Sequence, residues 1–325
     1  MLLVLGSINI DLTTIADEIP RVGETVIGQS FCQYPGGKGA NQAVCAAKLK
    51  TDVRFLGKVG KDIYGDFMLG KMSESGIDVS RVERSEESTG IAAISVDSNG
   101  QNSIIVVPGS NFSLDCAYID RNIDAIEDCD IILAQHEIPL NVTEYAFKMA
   151  KSLGKTTILN PAPANAISGA MIELADILIP NEHELSRLTG MPCESAGDIS
   201  KAAAMLQAQG VKIVIATMGK AGVMVAEKGR TRVFPAYSVD AVDTTAAGDS
   251  FIGGFAASYV RDGDIDAAIA YGQTAASYSV QYKGAQSSMP DFEQFESYRR
   301  MMEKMIEKVE RGESGICLQN ATDMR

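Results

Sequence analysis

Histidine is almost missing from this chain. His136 and His183 are the two in 325 residues, which excludes a His-rich metal site and leaves any His-based triad only those candidates. Cysteine pairing is missing too. The six cysteines, at 32, 45, 116, 129, 193 and 317, form no CxxC pair and keep no regular spacing, so reduced, mostly buried thiols are expected rather than a zinc knuckle or a redox dithiol. Positive charge is scarce: 29 Lys and Arg against 42 Asp and Glu give a net charge of −13, which argues against non-specific nucleic-acid binding. A polyanionic ligand would need local help from backbone N–H groups, one or two lysines and a divalent cation. No apolar run approaches membrane-spanning length, and Leu2 to Leu5 runs straight into Gly6 and Ser7 with no basic segment before it. A cytoplasmic protein without a membrane partner is therefore expected. The nucleotide fingerprints GxxxxGK(S/T) and GxGxxG are both absent, which speaks against a P-loop enzyme and a nicotinamide oxidoreductase.

What is present is a large core and a βα rhythm. With 46% hydrophobic residues the chain can fill one large α/β domain or two modest ones. LLVLGSINID reads as a buried strand ending in polar residues, and VRFLGKVG (53–60) as another. IILAQ (131–135), TTILNPAP (156–163), DILIPN (176–181) and VKIVIATMG (211–219) alternate with helical patterns. Such alternation predicts a mostly parallel central sheet with helices on both faces. TGIAAISVD and NSIIVVPG, separated by Ser98 to Gln101, read as a β-hairpin that interrupts the rhythm. With the β-like stretch at 24–34 it predicts a small β-sheet lid. The expected division is an α/β core of 1–11, 35–88 and 112–310, a lid of 12–34 and 89–111, and a mobile tail of 311–325.

Candidate chemistry gathers at three places. DTTAAGDSF, Asp243 to Phe251, reads as a loop entering a helix N-terminus, whose unpaired N–H groups and dipole attract anions, phosphate above all. Asp249 there is either a reactive carboxylate or a helix cap. GGKGANQA places Gly36, Gly37 and Gly39 at a second helix N-terminus, where Lys38 and Asn41 can face a ligand or simply belong to a turn and a capped helix. Asn9 and Asp11 alternate on a strand end and suit a hydroxyl-rich ligand, or an Asx turn. Glu137, Asn160 and Asn181 with Glu184 follow other strands, at the sheet edge where ligands of open α/β folds bind.

GSINID, GETV, GGKGANQA, NPAP, NEHE, TMGKAG, DTTAAGDSF and KGAQSS, in that order, resemble the PfkB-type carbohydrate kinases and among them the ribokinases, over residues 1–290. The resemblance implies a ribokinase-like fold and ATP-dependent phosphorylation of a sugar, with D-ribose O5 as acceptor. Asn9, Asp11, Gly37, Lys38, Asn41 and Glu137 would hold the sugar, and Asp249 would take the hydroxyl proton. Backbone at Ala246, Ala247 and Gly248 would form the anion hole. Asn181, Thr217, Gly219, Lys220, Gly222 and Gly248 would face ATP, although a solvated lysine is the plainer reading of Lys220. Glu184 would lie near Mg²⁺, and Asp243, Thr245, Ser279, Gly284 and Ser288 around K⁺ or a similar cation. The lid would pair two copies into a homodimer. Another sugar or a nucleoside as substrate, or a sugar-binding sensor that has lost transfer, are the alternatives.

Overall fold

A computed structural model describes residues 1–310, with side chains to 305. The expected tail, 311–325, lies outside the described residues. The strands are β1 (Leu2–Leu5), β2 (Asn9–Ile15), β3 (Ser30–Gly36), β4 (Val53–Leu56), β5 (Lys58–Gly60), β6 (Glu83–Ser85), β7 (Gly90–Val96), β8 (Asn102–Val107), β9 (Ile131–Ala134), β10 (Thr156–Leu159), β11 (Ile177–Leu178), β12 (Ile213–Thr217), β13 (Val223–Glu227) and β14 (Arg230–Phe234). The helices are α1 (Lys38–Lys48), α2 (Ile63–Glu74), α3 (Cys116–Arg121), α4 (Ile123–Asp128), α5 (Leu140–Ser152), α6 (Gly169–Leu174), α7 (Glu182–Thr189), α8 (Ala196–Ala208), α9 (Ala247–Asp262), α10 (Ile265–Ser279) and α11 (Phe292–Glu310).

Eight strands form the main sheet in the order β14-β13-β12-β11-β10-β9-β1-β4, parallel from β4 to β12 and antiparallel at β13 and β14. The continuous apolar run LLVL explains the centre of this sheet. Successive side chains point to opposite faces, so Leu2 and Val4 enter one hydrophobic cluster and Leu3 and Leu5 the other. The first cluster is covered by α1, α9 and α10, the second by α3, α5 and α8. Helices α1 and α9 meet closely at Gly253, where a Cβ would lie 2.5 Å from that of Cys45 and 2.6 Å from the Gln42 carbonyl oxygen. That contact sets the two helices carrying the candidate motifs side by side.

The second sheet, separate from the first, has the order β3-β2-β7-β8. Here the structure departs from the sequence reading. Asn9 and Asp11 do not continue β1, which ends at Leu5; they open β2, paired with Gly36 and Tyr34 on β3 and with Gly90 and Ala92 on β7. The small sheet thus begins at Asn9, and its second strand ends at Gly36. Beyond Leu5 the chain runs close against α1, where a Cβ on Gly39 would lie 2.6 Å from the Ser7 nitrogen, and the backbone groups from Asn9 onward find their partners on β3 and β7. In the 24–34 stretch, strand pairing begins only at Ser30. VRFLGKVG is also two strands, the first in the main sheet and the second paired with β6. Among the described residues no helix is long and apolar enough to cross a membrane, and Cys32, Cys45, Cys116, Cys129 and Cys193 are free.

Candidate active site

The loops after β1, β9, β10, β11 and β12 all leave the main sheet at one edge, and parallel pairing makes that edge the C-terminal end of these strands. Helix α1 starts there. Gly37 precedes it with φ +89°, and a Cβ would lie 2.7 Å from the Asn9 nitrogen, so glycine is required for both conformation and space. The anion preference of this helix start is already met from within the protein. Glu137 Oε2 accepts from the Lys38 backbone N–H at 3.0 Å and from Ser7 Oγ at 2.6 Å. Ser7 in turn accepts from Gly39 N at 3.3 Å.

Helix α9 starts differently. Its N-cap, Ala246, is left-handed at φ 56° and ψ 18° and gives no side-chain cap. Gly248 is exposed, with nothing within 4 Å of the position a Cβ would take. The Ala247 N–H donates to Thr244 O at 3.2 Å, so within the stretch 246–248 this group is engaged in a turn. Asp249, 7% exposed, points away from the cap position: Oδ2 accepts from Asn41 Nδ2 at 3.0 Å and Oδ1 from Gln42 Nε2 at 2.9 Å. The cap reading of Asp249 therefore has no hydrogen bond behind it.

Charge converges at Lys38. Asp249 first, then Glu137, Glu184 and Asp11 raise its ammonium pKa above the ordinary value, against the opposing effect of burial. Asp11 is pushed up to about 7, first by burial and then by the charges of Glu137 and Asp249, while Lys38 pulls it down. Burial also raises Glu184, which belongs to a capping box with Asn181 at the start of α7. In that box the Asn181 backbone N–H and side-chain amide each donate to Glu184 at 2.9 Å. Thr217 lies beside it, bridged to Asn181, and Gly219 and Lys220 follow in an exposed turn. Gly222 is buried at φ +99°, and a Cβ there would lie 2.1 Å from Phe234 O, so the turn into β13 already accounts for its glycine.

The remaining predicted residues form a neighbouring loop pair. Asp243 accepts from Thr245 N and Gly284 N, both at 2.9 Å, and these bonds hold its carboxyl below the usual range although burial opposes them. Ser279 and Ser288 are buried and use their hydroxyls on Ala276 O and Ala285 O. Asn9 spends its side-chain oxygen on Asn111 Nδ2 at 2.7 Å, which leaves its amide N–H groups free to turn to a ligand. His136 is buried with neither ring nitrogen hydrogen-bonded, and burial lowers it to about 4, so it stays neutral.

Five residues at this edge escape a reading of motifs: Ser7, Gln42, Asn111, Gln135 and Gln286. Gln42 and Gln286 stand inside GGKGANQA and KGAQSS, beside residues that were singled out, and a polar side chain within a small, apolar helix run was the available signal for Gln42. Ser7 stands inside GSINID and Gln135 closes IILAQ, so their places in those stretches are the available signals; none marks Asn111.

Residues 1–291 match the pfkB family of carbohydrate kinases. A ribokinase of Haemophilus influenzae is 41% identical over 290 residues, covering 89% of this chain and 95% of that protein. A deoxyribokinase of Salmonella typhi is 40% identical over 302 residues, covering 92% and 99%. The structure of Arabidopsis thaliana ribokinase complexed with ribose and ATP superposes with a TM-score of 0.88 at 35% identity, covering 92% of this chain and 98% of that one. A lidded, mostly parallel sheet with an acidic cluster and an open helix start at its edge is the architecture of an ATP-dependent sugar kinase. The chain belongs to the pfkB family of carbohydrate kinases.

Proposed function

We propose that this kinase transfers the γ-phosphoryl group of ATP to the 5-hydroxyl of D-ribose, giving ribose 5-phosphate and ADP. The observation that carries the reading is Asp249, a buried carboxylate held by two amides at the uncapped start of α9, in the charge field of Lys38. Relatives named ribokinase, and a neighbour complexed with ribose and ATP, support the choice of sugar. The similarity of a deoxyribokinase, 40% identical against 41% for the ribokinase, makes 2-deoxyribose the second reading. An intact Asp249 speaks against a sensor without transfer.

In this mechanism Asn9, Asp11, Gly37, Lys38, Asn41 and Glu137 hold the sugar under the lid. Asp249 accepts the 5-hydroxyl proton as that oxygen bonds to the γ-phosphorus and the bond to the bridging oxygen of ADP breaks. Proton acceptance by a positioned base is worth ~10²–10⁴ in rate. Backbone N–H groups of Ala246 to Gly248 face the phosphoryl oxygens, the Ala247 group turning from Thr244 to do so, and stabilise their charge. Asn181, Thr217, Gly219 and Lys220 line the nucleotide side, with Gly222 shaping the turn. The lid excludes water, the competing acceptor.

Both implied ions fit with conditions. Each Glu184 oxygen already accepts one bond from Asn181, so Mg²⁺ fits there through water rather than by direct ligation; bound, it neutralises phosphate charge. Among the described residues no group of three or more His, Cys, Asp or Glu could hold a metal by itself. Asp243, Thr245, Ser279, Gly284 and Ser288 bring two loops together, and K⁺ or a similar cation suits their backbone carbonyls.

An ADP-release assay over ribose, 2-deoxyribose, fructose and nucleosides tests the reading, with K⁺ present or replaced by a large inert cation. Ribose is expected to give the highest kcat/KM, and turnover is expected to fall without K⁺. No turnover of ribose would sink the leading reading, and a preference for 2-deoxyribose would establish the second.

The edge of the lid supports a homodimer through it. Strand β8 exposes Ile104, Ile105, Val106 and Val107, four consecutive apolar residues on an edge strand that lacks a neighbour among the described residues, with Phe31 exposed on the opposite edge strand β3. Sedimentation at the mass of two chains is expected, with Ile105→Glu shifting it to one. A single-chain mass for the unaltered protein excludes this surface as a stable interface.

A further inference from the structure

The two amides facing Asp249 are themselves held by other amides, and the chain of donors has a direction. An amide side chain has an oxygen and a nitrogen end of similar size, so its neighbours decide which end points where. Asn41 Oδ1 accepts from Gln286 Nε2 at 3.0 Å, which turns Asn41 Nδ2 toward Asp249 Oδ2. Gln42 Oε1 accepts from Gln135 Nε2 at 2.7 Å, which turns Gln42 Nε2 toward Asp249 Oδ1 and Asn160 Oδ1. Asn160 is fixed in its turn by donating Nδ2 to Ile179 O at 2.9 Å. Gln42 and Gln135 are wholly buried, and Asn41, Asn160, Gln286 and Asp249 are 4 to 7% exposed, so water does not scramble the pattern. The direction has a cost at its outer end: Gln135 Oε1 is buried with no hydrogen-bond partner.

We propose that Gln286, acting through Asn41, and Gln42, itself oriented by Gln135, are positioning residues, which present an N–H donor to each Asp249 carboxylate oxygen. The two contacts fix the carboxylate and leave its remaining lone pairs free for a hydroxyl proton. Gln286 brings the order from a distant loop, anchored by Lys48 Nζ on the Gln286 and Met289 carbonyls at 2.9 and 2.8 Å. The charged and titratable groups that also face Asp249 are Lys38 and Cys45 from α1, Asp11 from β2 and Glu184 from α7. None of them determines the flip of an amide. The inference rests on Asp249 as the base, and the variants below separate the two claims.

The experiment compares Gln286→Met, Gln286→Glu, Gln42→Met and Gln42→Glu by steady-state kinetics across pH, with thermal unfolding of each. Gln286→Met removes the donor that orients Asn41, and kcat is expected to fall about tenfold with little change in KM for ATP. Gln286→Glu offers an acceptor in place of that donor, turning an Asn41 oxygen toward Asp249. A larger loss of kcat than in Gln286→Met is expected, and the acidic limb of the kcat/KM profile is expected to move up by about one pH unit. Gln42→Glu should move that limb in the same direction, and Gln42→Met should retain more kcat than Gln42→Glu. Folded Gln286 variants with unaltered kcat and pH profile would overturn the proposal, as would Gln286→Glu performing no worse than Gln286→Met. If the buried Gln42 variants fail to fold, the Gln286 pair on the loop still decides. Normal glutamine variants beside an inactive Asp249→Asn would remove the positioning role alone, whereas an active Asp249→Asn would remove the base on which it rests.

Discussion

Asp249→Asn is expected to bind ribose and to turn it over at least ~10²–10⁴ times more slowly than the unaltered protein. The side chain keeps its shape and loses the charge that accepts a proton. Sequence leaves two readings of this residue, and they differ in what the substitution costs. A helix cap contributes about 0.5–2 kcal/mol to stability and nothing to turnover. The capping position here is occupied by Ala246 without any side-chain bond, while both Asp249 oxygens are taken by Asn41 and Gln42. Asparagine would set its own N–H₂ against one of those amides, so some stability is expected to be lost, about 1–3 kcal/mol for a mismatched buried pair. The decisive comparison is turnover per folded molecule, with ribose affinity by calorimetry. Wild-type turnover in a less stable protein would return Asp249 to the cap reading.

Lys38→Met is expected to weaken ribose binding about 10- to 100-fold, the loss of a hydrogen bond from a charged group, while the protein stays folded. Lys38 is the cation that Asp249, Glu137, Glu184 and Asp11 all act upon, and its own backbone N–H ties down Glu137 whatever the side chain. The more specific result is the pH dependence. Asp11 is pushed up to about 7, so the charge with which it accepts from sugar hydroxyls is lost as pH falls through that value, and those hydrogen bonds weaken. Lys38 lowers it, and its removal should carry the midpoint of ribose affinity to higher pH. The sign for stability is the reverse of the usual carboxylate. Because the folded value lies above the ordinary 3.8, Asp11 makes the fold less stable as pH rises from 3.8 to about 7, with no further loss above. Calorimetric titration of ribose on either side of neutrality checks the first part. An unchanged affinity midpoint in Lys38→Met would show that Asp11 does not report on the sugar site.

Much of this site is written in short stretches. LLVL is buried on both faces because its pattern has no polar side, and the glycines of GGKGANQA permit the backbone contacts at α1 that their spacing suggests. The small residues before Asp249 lead directly into α9, as the opening of that helix requires. These features depend on neighbours in the chain, and neighbours are legible. Asn9 and Asp11 illustrate the limit. Their alternation is correctly that of a strand, but which sheet the strand joins depends on partners at 30–36 and 90–96, distant in the chain. Glu137 likewise reads as a strand-end acid, and only the folded chain puts it on the start of a helix 99 positions away.

The sequence by itself determined the layered α/β architecture, the family and the residue types at the sheet edge. Tertiary structure decided what Asp249 faces. Its amide partners lie 207 and 208 positions away, and Gln286 reaches Asn41 across 245. A hydrogen bond selects direction as well as distance, and the direction of a buried amide is fixed only when every neighbour competing for its two ends is in place.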